Sequence, residues 1–517
     1  MTDENNSQEK VFAFLADAVS HRLAAGETVR RIDTHGASVF LAGDRALKVK
    51  RAVRFPFLDY STLAKRKAAC AAELTVNAPF APQIYRGIVP ITAEADGRLA
   101  IAGKGVPVEW AVDMRRFDET RTLDHLAGAI DEDLADALGR AVAAAHAQAP
   151  IVDAPPWIVA LETYLDQNAA AFRDNPTLFA AAAAAALDRA SRLAYARLKP
   201  LLAARGEGGR VRRGHGDLHL GNIVLIEGRP VLFDAVEFDP LIAAGDVLYD
   251  LAFLLMDLCE RGLVVAANIV LNRYLVETHV ADDLDGLAAL PFFLSLRAAI
   301  RAKVTAARIE RAEDRAREAI AAAARAYFAF AQRAIAPPAP QFIAVGGLSG
   351  TGKTRLARAL APGIAPLPGA VVLRSDVERK LGRGVAETDP LPADAYTAAA
   401  TAQVYAALLD KTRRVLAARH SVIVDAVFAQ PQERAALAAA APAAGVPLRG
   451  LFLTASLETR IARVGHRVGD ASDAGESVVR AQEDYDLGRL DWAAVDASGT
   501  PEQTLAQAEI ALAKPAG

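Results

Sequence analysis

The stretch that most constrains the fold lies at residues 347–354, which read Gly-Leu-Ser-Gly-Thr-Gly-Lys-Thr. This order matches the phosphate-binding pattern G-x-x-x-x-G-K-[ST] at every fixed position. An apolar run at 341–345 predicts a buried strand before the loop, and helical spacing at 355–361 predicts a helix after it. Between a strand and a helix, such a loop turns successive backbone N–H groups toward phosphate oxygens. The sequence therefore predicts a nucleotide-binding loop.

The side chains of this loop suit a bound nucleoside triphosphate. The Lys353 ammonium would meet the β- and γ-phosphates, and the Thr354 hydroxyl would bind Mg²⁺. The residues expected to contact ATP are Gly347, Ser349, Gly350, Thr351, Gly352, Lys353 and Thr354. The alternative is a chance glycine loop, which would require the whole pattern and both flanks to agree by accident.

The length of the chain and a proline-rich stretch predict its division into domains. At 517 residues the chain exceeds one ordinary hydrophobic core, and a domain size of about 150 residues predicts about two to four domains. Residues 336–340 read Ala-Pro-Pro-Ala-Pro, which cannot continue a helix and favours a stiff, extended spacer. We therefore predict a first domain over 1–336, a linker at 337–340 and a second domain over 341–517.

The composition disfavours several classes of partner and location. The formal charge of −3 offers no basic excess for a nucleic-acid backbone, so nucleic acid is not an expected partner. Charged residues interrupt the apolar stretch at 251–271, so no membrane span is expected. Residues 1–10 lack a signal-peptide pattern, and the two cysteines, Cys70 and Cys259, cannot form a disulfide framework. We therefore expect a cytoplasmic protein whose thiols are packed.

A second constellation lies at residues 214–222, which read Gly-His-Gly-Asp-Leu-His-Leu-Gly-Asn and precede an apolar strand ending at Asp234. This arrangement closely resembles the catalytic loop of the aminoglycoside and choline phosphotransferases, which are relatives of the protein kinases. The resemblance implies that Asp217 accepts the proton of an attacking hydroxyl and that Asn222 and Asp234 bind Mg²⁺. Oxygen ligands of this kind suit the octahedral geometry of Mg²⁺.

Two lysines are candidates for the residue that contacts ATP in the first domain. Residues 38–41 and 46–50 predict a β-hairpin, which places Lys48 and Lys50 on one face because side chains alternate along a strand. The resemblance implies that Lys48 contacts the α- and β-phosphates of ATP and that Glu73, on the next helix, is its ion-pair partner. The choice between Lys48 and Lys50 stays open.

The first domain also departs from the family pattern. Asp234 is followed by Ala-Val-Glu instead of Phe-Gly, and no G-x-G-x-x-G precedes the first lysine. Residues 34–38 would therefore have to cover the phosphates. Glu237 is either a residue at the metal site or a surface carboxylate. Residues 297–334 predict one long charged helix.

Four other polar residues near the predicted catalytic loop are assigned to structure. His215 and His219 are spaced like metal ligands on a helix, but they lie in a loop, so hydrogen bonds that support the loop are the better interpretation. Asp246 is expected to cap a helix, and Asp250 is expected to be a buried hydrogen-bond acceptor.

Beyond the phosphate-binding loop, strands alternate with helices. Residues 370–373, 421–424 and 451–453 predict further strands, so a parallel sheet is expected, with functional residues at the carboxyl ends of its strands. Asp425 ends one of these strands and suits Mg²⁺ binding through water. Asp376 resembles the substrate-side Asp of small kinases such as gluconate kinase and the zeta-toxin group, which implies that it orients or deprotonates the acceptor.

An arginine-rich segment follows the last of these strands. Arg460, Arg463 and Arg467 are spaced to share one helical face. A solvated face is the plain interpretation. Beside a phosphate-binding loop, the segment also resembles the lid of small kinases, in which Arg460 and Arg467 would contact ATP and Arg463 would stabilise the transferring phosphoryl group.

Together these patterns predict an α+β protein-kinase-like bilobal domain followed by an α/β P-loop NTPase domain with a parallel sheet. The predicted function is ATP- and Mg²⁺-dependent phosphoryl transfer to hydroxyl groups of small molecules at two sites. One alternative makes the first domain a sensor of nucleotide or ligand that regulates the second. Another makes the second domain an ATPase or a toxin-like nucleotide-sugar kinase. The sequence identifies neither the acceptors nor the oligomeric state.

Overall fold

The computed structural model describes residues 2–55, 58–466 and 469–514. The α-helices are α1 (Thr2–Ala16), α2 (Leu63–Asn77), α3 (Glu132–Gln148), α4 (Ala154–Asp174), α5 (Ala181–Glu207), α6 (Pro240–Ala243), α7 (Val247–Glu260), α8 (Val264–Thr278), α9 (Ala281–Gly286), α10 (Leu290–Ala306), α11 (Asp314–Ile335), α12 (Lys353–Leu360), α13 (Ser375–Leu381), α14 (Ala398–Ala417), α15 (Pro431–Ala438), α16 (Ala441–Ala444), α17 (Leu457–Gly465), α18 (Glu476–Ala481) and α19 (Pro501–Ala513).

The strands are β1 (Arg30–Asp33), β2 (Ala37–Ala42), β3 (Arg45–Lys50), β4 (Arg54–Phe55), β5 (Leu58–Asp59), β6 (Tyr85–Ala93), β7 (Leu99–Ile101), β8 (Val106–Arg115), β9 (Val211–Arg213), β10 (Ile223–Ile226), β11 (Arg229–Leu232), β12 (Ala244–Asp246), β13 (Phe342–Gly347), β14 (Val371–Arg374), β15 (Val422–Asp425), β16 (Leu448–Thr454) and β17 (Ala493–Asp496). None of the helices that the structure describes is both long enough and apolar enough to span a bilayer.

The chain forms two compact units that are not contiguous in sequence. The first runs up to Leu161 and includes Gly206–Leu254, and the second comprises Glu162–Arg205 and the chain from Leu255 onward. Most of the helices that follow the first sheet in sequence therefore belong to the same unit as the parallel sheet. The predicted sequence limits at 336 and 341 stay a prediction. Residues 336–340 carry no helix or strand between α11 and β13.

The first unit is built on an antiparallel sheet with strand order β1-β2-β3-β8-β6-β7. Helix α2 packs on this sheet, and its first turn is capped by the Thr62 side chain, which accepts a hydrogen bond from Lys65 N. Apolar side chains such as Cys70, Val112 and Val224 form a core shared by the helix, the sheet and the β10–β11 hairpin. This packing places the hairpin against helix α2 and strand β8.

The second unit contains a parallel sheet with strand order β14-β15-β13-β16-β17. Strand β13 is central and fully buried, which explains its continuous apolar run. Helices α12 and α19 contribute Leu356, Leu360 and Ala508 to the core beneath it. The parallel sheet confirms the predicted α/β class, and strand β17 adds to the predicted strands.

One helix prediction was wrong. The helix predicted over residues 297–334 is two helices, α10 and α11, that pack on each other, with a 3-10 turn at Ile309–Arg311 between them. The Ser295 hydroxyl donates to the Ala331 carbonyl (2.8 Å), which joins the two helices. The connection contains neither glycine nor proline, so the sequence carries no strong signal for the turn.

Candidate active sites

Strand β3 presents two lysines to one buried carboxylate. Lys48 Nζ lies 2.8 Å from Glu73 Oε1, and Lys50 Nζ lies 2.5 Å from Glu73 Oε2. Lys48 Nζ also lies 2.6 Å from Asp234 Oδ1, whereas Lys50 is paired with Glu237. The structure therefore brings Lys48, Glu73 and Asp234 together in one cluster.

The charges of this cluster reinforce one another. Burial lowers the pKa of Lys48, but the carboxylates of Asp234 and Glu73 outweigh it and hold that pKa well above its ordinary value. Burial also raises the pKa of Glu73, but the two lysine ammonium groups reverse this effect and lower it. Lys48 is therefore cationic and Glu73 anionic at neutral pH.

The two lysines differ in their surroundings. The Lys48 side chain is 14% exposed, whereas that of Lys50 is 3% exposed and lies beside the ring of Tyr60. The Tyr60 hydroxyl donates to Glu237 Oε1 (3.0 Å), so Lys50 is enclosed by tyrosine and carboxylate groups. Glu237 is 7% exposed, so its interpretation as a surface carboxylate was wrong. This geometry favours Lys48, the more accessible of the two, as the lysine that reaches a nucleotide.

The β10–β11 hairpin is flanked by Asn222 at one end and by Asp234 at the other. Asn222 Nδ2 donates to the carbonyl oxygen of Asp217 (3.0 Å) and to its Oδ2 (3.1 Å). Phe233 N donates to the Asn222 carbonyl (3.0 Å), so the residue just before Asp234, past the end of β11, is held next to Asn222. Asp234 has a φ of +60°, a left-handed conformation that is uncommon for a residue other than glycine. Such strain is often held at functional sites.

Buried hydrogen bonds fix the loop that carries Asp217. The Asp250 carboxylate accepts from His215 N (2.8 Å) and from the next backbone N–H (2.9 Å), which confirms its prediction as a buried acceptor. His215 Nε2 lies 2.9 Å from the Phe233 carbonyl, and His219 Nδ1 accepts from the N–H two residues later. The predicted supporting roles of both histidines are therefore confirmed. Asp246 accepts from the N–H at the second residue of α7, as predicted for a cap.

The second candidate site is the loop between β13 and α12. Gly350 and Gly352 have φ values of +84° and +92°, which glycine adopts at least cost. A Cβ atom at Gly350 would also lie 2.5 Å from the Arg460 carbonyl oxygen, so only glycine fits there. The remaining contacts of the loop are Gly347 N to Val427 O (3.1 Å), Ser349 N to Gln482 Oε1 (2.7 Å), Thr351 Oγ1 to Leu348 O (2.8 Å) and Lys353 Nζ to Leu348 O (3.2 Å).

The hydroxyl and carboxylate predicted to bind magnesium at this loop lie side by side. Thr354 Oγ1 donates to Asp425 Oδ2 at 2.6 Å. Burial raises the pKa of Asp425, and the nearby positive charges of Lys353 and Arg374 partly oppose this rise. Asp376 lies at the start of α13, close enough for its own charge to add to the rise. The carboxyl ends of β14 and β15 thus bring Asp376 and Asp425 to the same edge of the sheet.

The arginine-rich segment forms helix α17 and lies against the phosphate-binding loop. Arg460 is buried and donates from Nε to the Ser349 carbonyl (2.9 Å), and it is ion-paired with Glu483. Arg463 Nη1 lies 3.4 Å from the Thr351 carbonyl. Arg467 lies outside the described residues. Arg460 therefore supports the loop in this structure, and the nucleotide contacts assigned to these arginines stay predictions.

Two protein-family models match this chain, one over each of the segments that carry these loops. Residues 29–290, just over half of the chain, match the phosphotransferase enzyme family. The chain belongs to the phosphotransferase enzyme family. Residues 342–485 match a second family, described as AAA domain. The predicted combination of a phosphotransferase segment with a P-loop segment is therefore confirmed.

A relative matches almost the whole chain, whereas each of two solved structures matches one part of it. An uncharacterized protein of Mycobacterium tuberculosis strain H37Rv is 31% identical over 498 residues, which cover 92% of this chain and 94% of the relative. Among solved structures, a gluconokinase from Sinorhizobium meliloti 1021 is 24% identical, with a TM-score of 0.25, and covers 34% of this chain and 92% of its own. An aminoglycoside 2'-phosphotransferase-IIIa in complex with GDP is 13% identical, with a TM-score of 0.36, and covers 62% and 99%.

The donor atoms of both sites in this phosphotransferase fit magnesium. Within residues 2–55, 58–466 and 469–514, no three His, Cys, Asp or Glu side chains converge as a metal site. The candidate ligands are a carboxylate and a neutral oxygen group at each site: Asp234 and Asn222 at one, and Asp425 and Thr354, which are 2.6 Å apart, at the other. Hard oxygen donors in small number suit Mg²⁺, which keeps several of its waters and binds phosphates directly.

Sequence reasoning missed several charged residues that the structure places at these sites. Lys50 was considered only as a substitute for Lys48, and its pairing with Glu237 was not predicted. Arg374, one of the buried arginines, lies 3.7 Å from Asp425 and pairs with Glu387 and other carboxylates. Arg374 ends strand β14, so its place at a functional sheet edge was a signal that could have identified it. Glu387 lies in a loop without any motif.

Proposed function

We propose that this protein is an ATP- and magnesium-dependent phosphotransferase with two nucleotide-binding modules, and that it transfers the γ-phosphoryl group to hydroxyl groups of small molecules. The observation that carries the proposal is the contact of Lys48 with both Glu73 (2.8 Å) and Asp234 (2.6 Å). In kinases, a lysine held by a helix glutamate next to the metal-binding aspartate is the arrangement that orders the phosphates. We further propose, from the sequence, a cytoplasmic location and no nucleic-acid partner.

In the first module each residue has a defined task. Lys48 would leave Asp234 to contact the α- and β-phosphates while Glu73 keeps it in position. Asn222 and Asp234 would then hold Mg²⁺, which neutralises charge on the phosphates. Asp217 would accept the proton that the acceptor hydroxyl loses as its oxygen bonds to phosphorus and ADP departs. The partly exposed Asp217 side chain, 43% accessible, lets an acceptor approach from solvent.

In the second module the backbone N–H groups of the loop and Lys353 would hold the phosphates. Thr354 and Asp425, which are already in contact, would hold Mg²⁺ directly and through water. Asp376 would orient or deprotonate the acceptor, and Arg463 would stabilise the transferring charge. Both modules therefore use the same elements, a lysine, oxygen ligands and a carboxylate beside the acceptor.

The test is phosphate transfer from γ-labelled ATP into a metabolite extract by the full-length protein. Asp217→Asn preserves the shape of the side chain but removes the general base, so products of the first site should fall about 10²- to 10⁴-fold. Products of the second site should persist. Lys353→Ala should remove the products that Asp217→Asn leaves. Titration of each variant with ATP separates binding from transfer.

Matched substitutions control for general effects of charge removal. Asp44→Asn alters a carboxylate that is 85% exposed, and Arg355→Ala alters an exposed cation next to the phosphate-binding loop. Both variants should keep wild-type transfer. Unchanged products in Asp217→Asn would refute the first site, and unchanged ATP binding in Lys353→Ala at the second site would refute the second.

A second candidate function is regulation of the P-loop module by the phosphotransferase segment. It is favoured by one observation, the ion pair between Arg273 in that segment and Glu387 (2.6 Å) beyond the P-loop. In this case Asp217→Asn would change no product at all, whereas Lys48→Ala would alter the ATP affinity or turnover of the second site. The labelled-ATP assay distinguishes the two functions directly.

A further inference from the structure

Helix α8 covers the free edge of the parallel sheet. Strand β14 is the end strand of that sheet, so one row of its backbone groups has no strand partner. Asn268 Nδ2 donates to the Ala370 carbonyl (3.0 Å), and Asn272 Nδ2 donates to the same oxygen (3.2 Å). Asn272 Oδ1 accepts from Val372 N (2.7 Å). A helix of the phosphotransferase segment therefore docks on the strand that leads to Arg374.

The same helix begins a chain of buried ion pairs. Arg273, the residue after Asn272, places Nη1 2.6 Å from Glu387 Oε2. The other oxygen of Glu387 lies 3.1 Å from Arg374 Nη1. The exposed fractions of the Arg273, Glu387 and Arg374 side chains are 10%, 18% and 7%. Glu387 therefore bridges two arginines in a place where water screens the charges little.

Arg374 connects these ion pairs to the candidate magnesium site. Its Nη2 lies 2.8 Å from Asp470 Oδ1, and its Nε lies 3.7 Å from Asp425 Oδ2. Asp425 Oδ2 is the oxygen that accepts the Thr354 hydroxyl at 2.6 Å. The guanidinium is planar, so the carboxylates on its two Nη groups set the direction in which its Nε points. Glu387 and Asp470 therefore determine how Arg374 faces Asp425.

We propose that Arg273 is a positioning residue for the P-loop site, which through Glu387 holds Arg374 against Asp425 and so strengthens the binding of magnesium nucleotide there. The inference rests on the proposed function of that site. It makes the P-loop module dependent on a residue that lies 74 positions before Gly347 in sequence. Arg273 would affect magnesium binding by orienting Arg374 toward Asp425, and not only by stabilising the fold.

The test is a titration of the full-length protein with ATP, in the presence of Mg²⁺ and again with Mg²⁺ chelated. A Lys48→Ala background removes the first site from the signal, and addition of Lys353→Ala provides the blank. In that background, Arg273→Ala and Glu387→Gln should each weaken Mg²⁺-dependent ATP binding about 10- to 100-fold, as is typical when a group that orients a metal ligand is removed. ATP binding without Mg²⁺ should change much less, because the groups that Arg273 orients act at the magnesium ligand.

Further variants separate positioning from folding. Arg273→Lys keeps the charge and should restore part of the loss even where Arg273→Ala folds poorly. Glu277→Gln removes the other carboxylate near Arg273, 3.4 Å away, and should bind like the parent. The double variant Arg273→Ala with Glu387→Gln should lose no more Mg²⁺-dependent ATP affinity than either single variant, because both residues act through the same series of ion pairs.

Each outcome has one meaning. Wild-type Mg²⁺-dependent affinity in both Arg273→Ala and Glu387→Gln, with binding still abolished by Lys353→Ala, would overturn this inference alone. An equal loss with and without Mg²⁺ would also overturn it, since that is the result of a purely structural role. If Lys353→Ala changes nothing in the Lys48→Ala background, the proposed function of the second site fails, and the inference fails with it.

Discussion

Acidification should destabilise the second unit through one buried histidine, His420. Its ring is 1% exposed, and Nε2 lies 3.0 Å from the Gly369 carbonyl. Among the residues that the structure describes, Nδ1 has no hydrogen-bond partner. Burial lowers the pKa of His420 from 6.5 to about 4, because the imidazolium would lose its hydration. In the folded protein the ring is therefore neutral at pH 5, whereas in the unfolded chain it is protonated.

The sign and size of the effect follow from this pKa shift. Between pH 6.5 and pH 4 the unfolded chain binds the proton and the folded chain does not, so stability falls as pH falls through this window. One pKa unit corresponds to about 1.4 kcal/mol, which gives a total of about 3.4 kcal/mol below pH 4. At pH 5 about 2 kcal/mol of this is already lost.

The assay is urea unfolding of the wild type and of His420→Gln between pH 7.5 and pH 5. Glutamine can keep a donor to Gly369 but does not titrate, so its free energy of unfolding should fall about 2 kcal/mol less than that of the wild type. His466→Gln, at an exposed position, should follow the wild type. Parallel pH profiles for the wild type and His420→Gln would refute the reasoning, because they would mean that His420 does not titrate differently on unfolding.

Two further changes test the packing of each unit. Asn272→Ala should lower the free energy of unfolding of the second unit by about 1–3 kcal/mol, since it leaves the Val372 N–H without its 2.7 Å partner; urea unfolding measures this, and an unchanged midpoint would contradict it. Glu73→Gln should destabilise the first unit by about 3 kcal/mol or more, because two buried lysines lose their shared carboxylate. In the same assay Asp59→Asn, at a more exposed pair with Lys65, should change stability much less, and equal losses would count against the special role of Glu73.

Local sequence patterns pointed to several residues that the structure places side by side, such as Thr354 with Asp425, and there is a physical reason for this. The loop at 347–354 and the loop at 214–222 are short, so the residue types and spacing of each motif stand within eight or nine consecutive positions. Strand alternation also placed Lys48 and Lys50 on one face, where the structure finds both against Glu73. Such features depend on spacing within a few residues, which a single sequence displays directly.

Features that depend on distant parts of the chain were not predictable in the same way. Strand β17 is only four residues long and has one buried residue, Val495, so its sequence carries only a weak signal for a strand. Asn268 and Asn272 look like ordinary polar residues of a helix, and their partners on β14 lie about 100 residues away. Lys50 is less exposed than Lys48 because it pairs with Glu237, whose position depends on the fold of the whole unit.

The docking of helix α8 on strand β14 through two asparagine side chains limits where this protein can be divided. A protein fragment that starts at residue 341 would lack helix α8, so the backbone N–H and C=O groups at the β14 edge of its sheet would be exposed. Exposed groups of this kind can pair with a strand of another molecule. We expect such a fragment to associate with itself or to require a substitute helix. Helix α8 belongs to the same compact unit as the parallel sheet although it lies before residue 341, so a cut there removes part of that unit. A separate polypeptide that supplied this helix would restore what the cut removes.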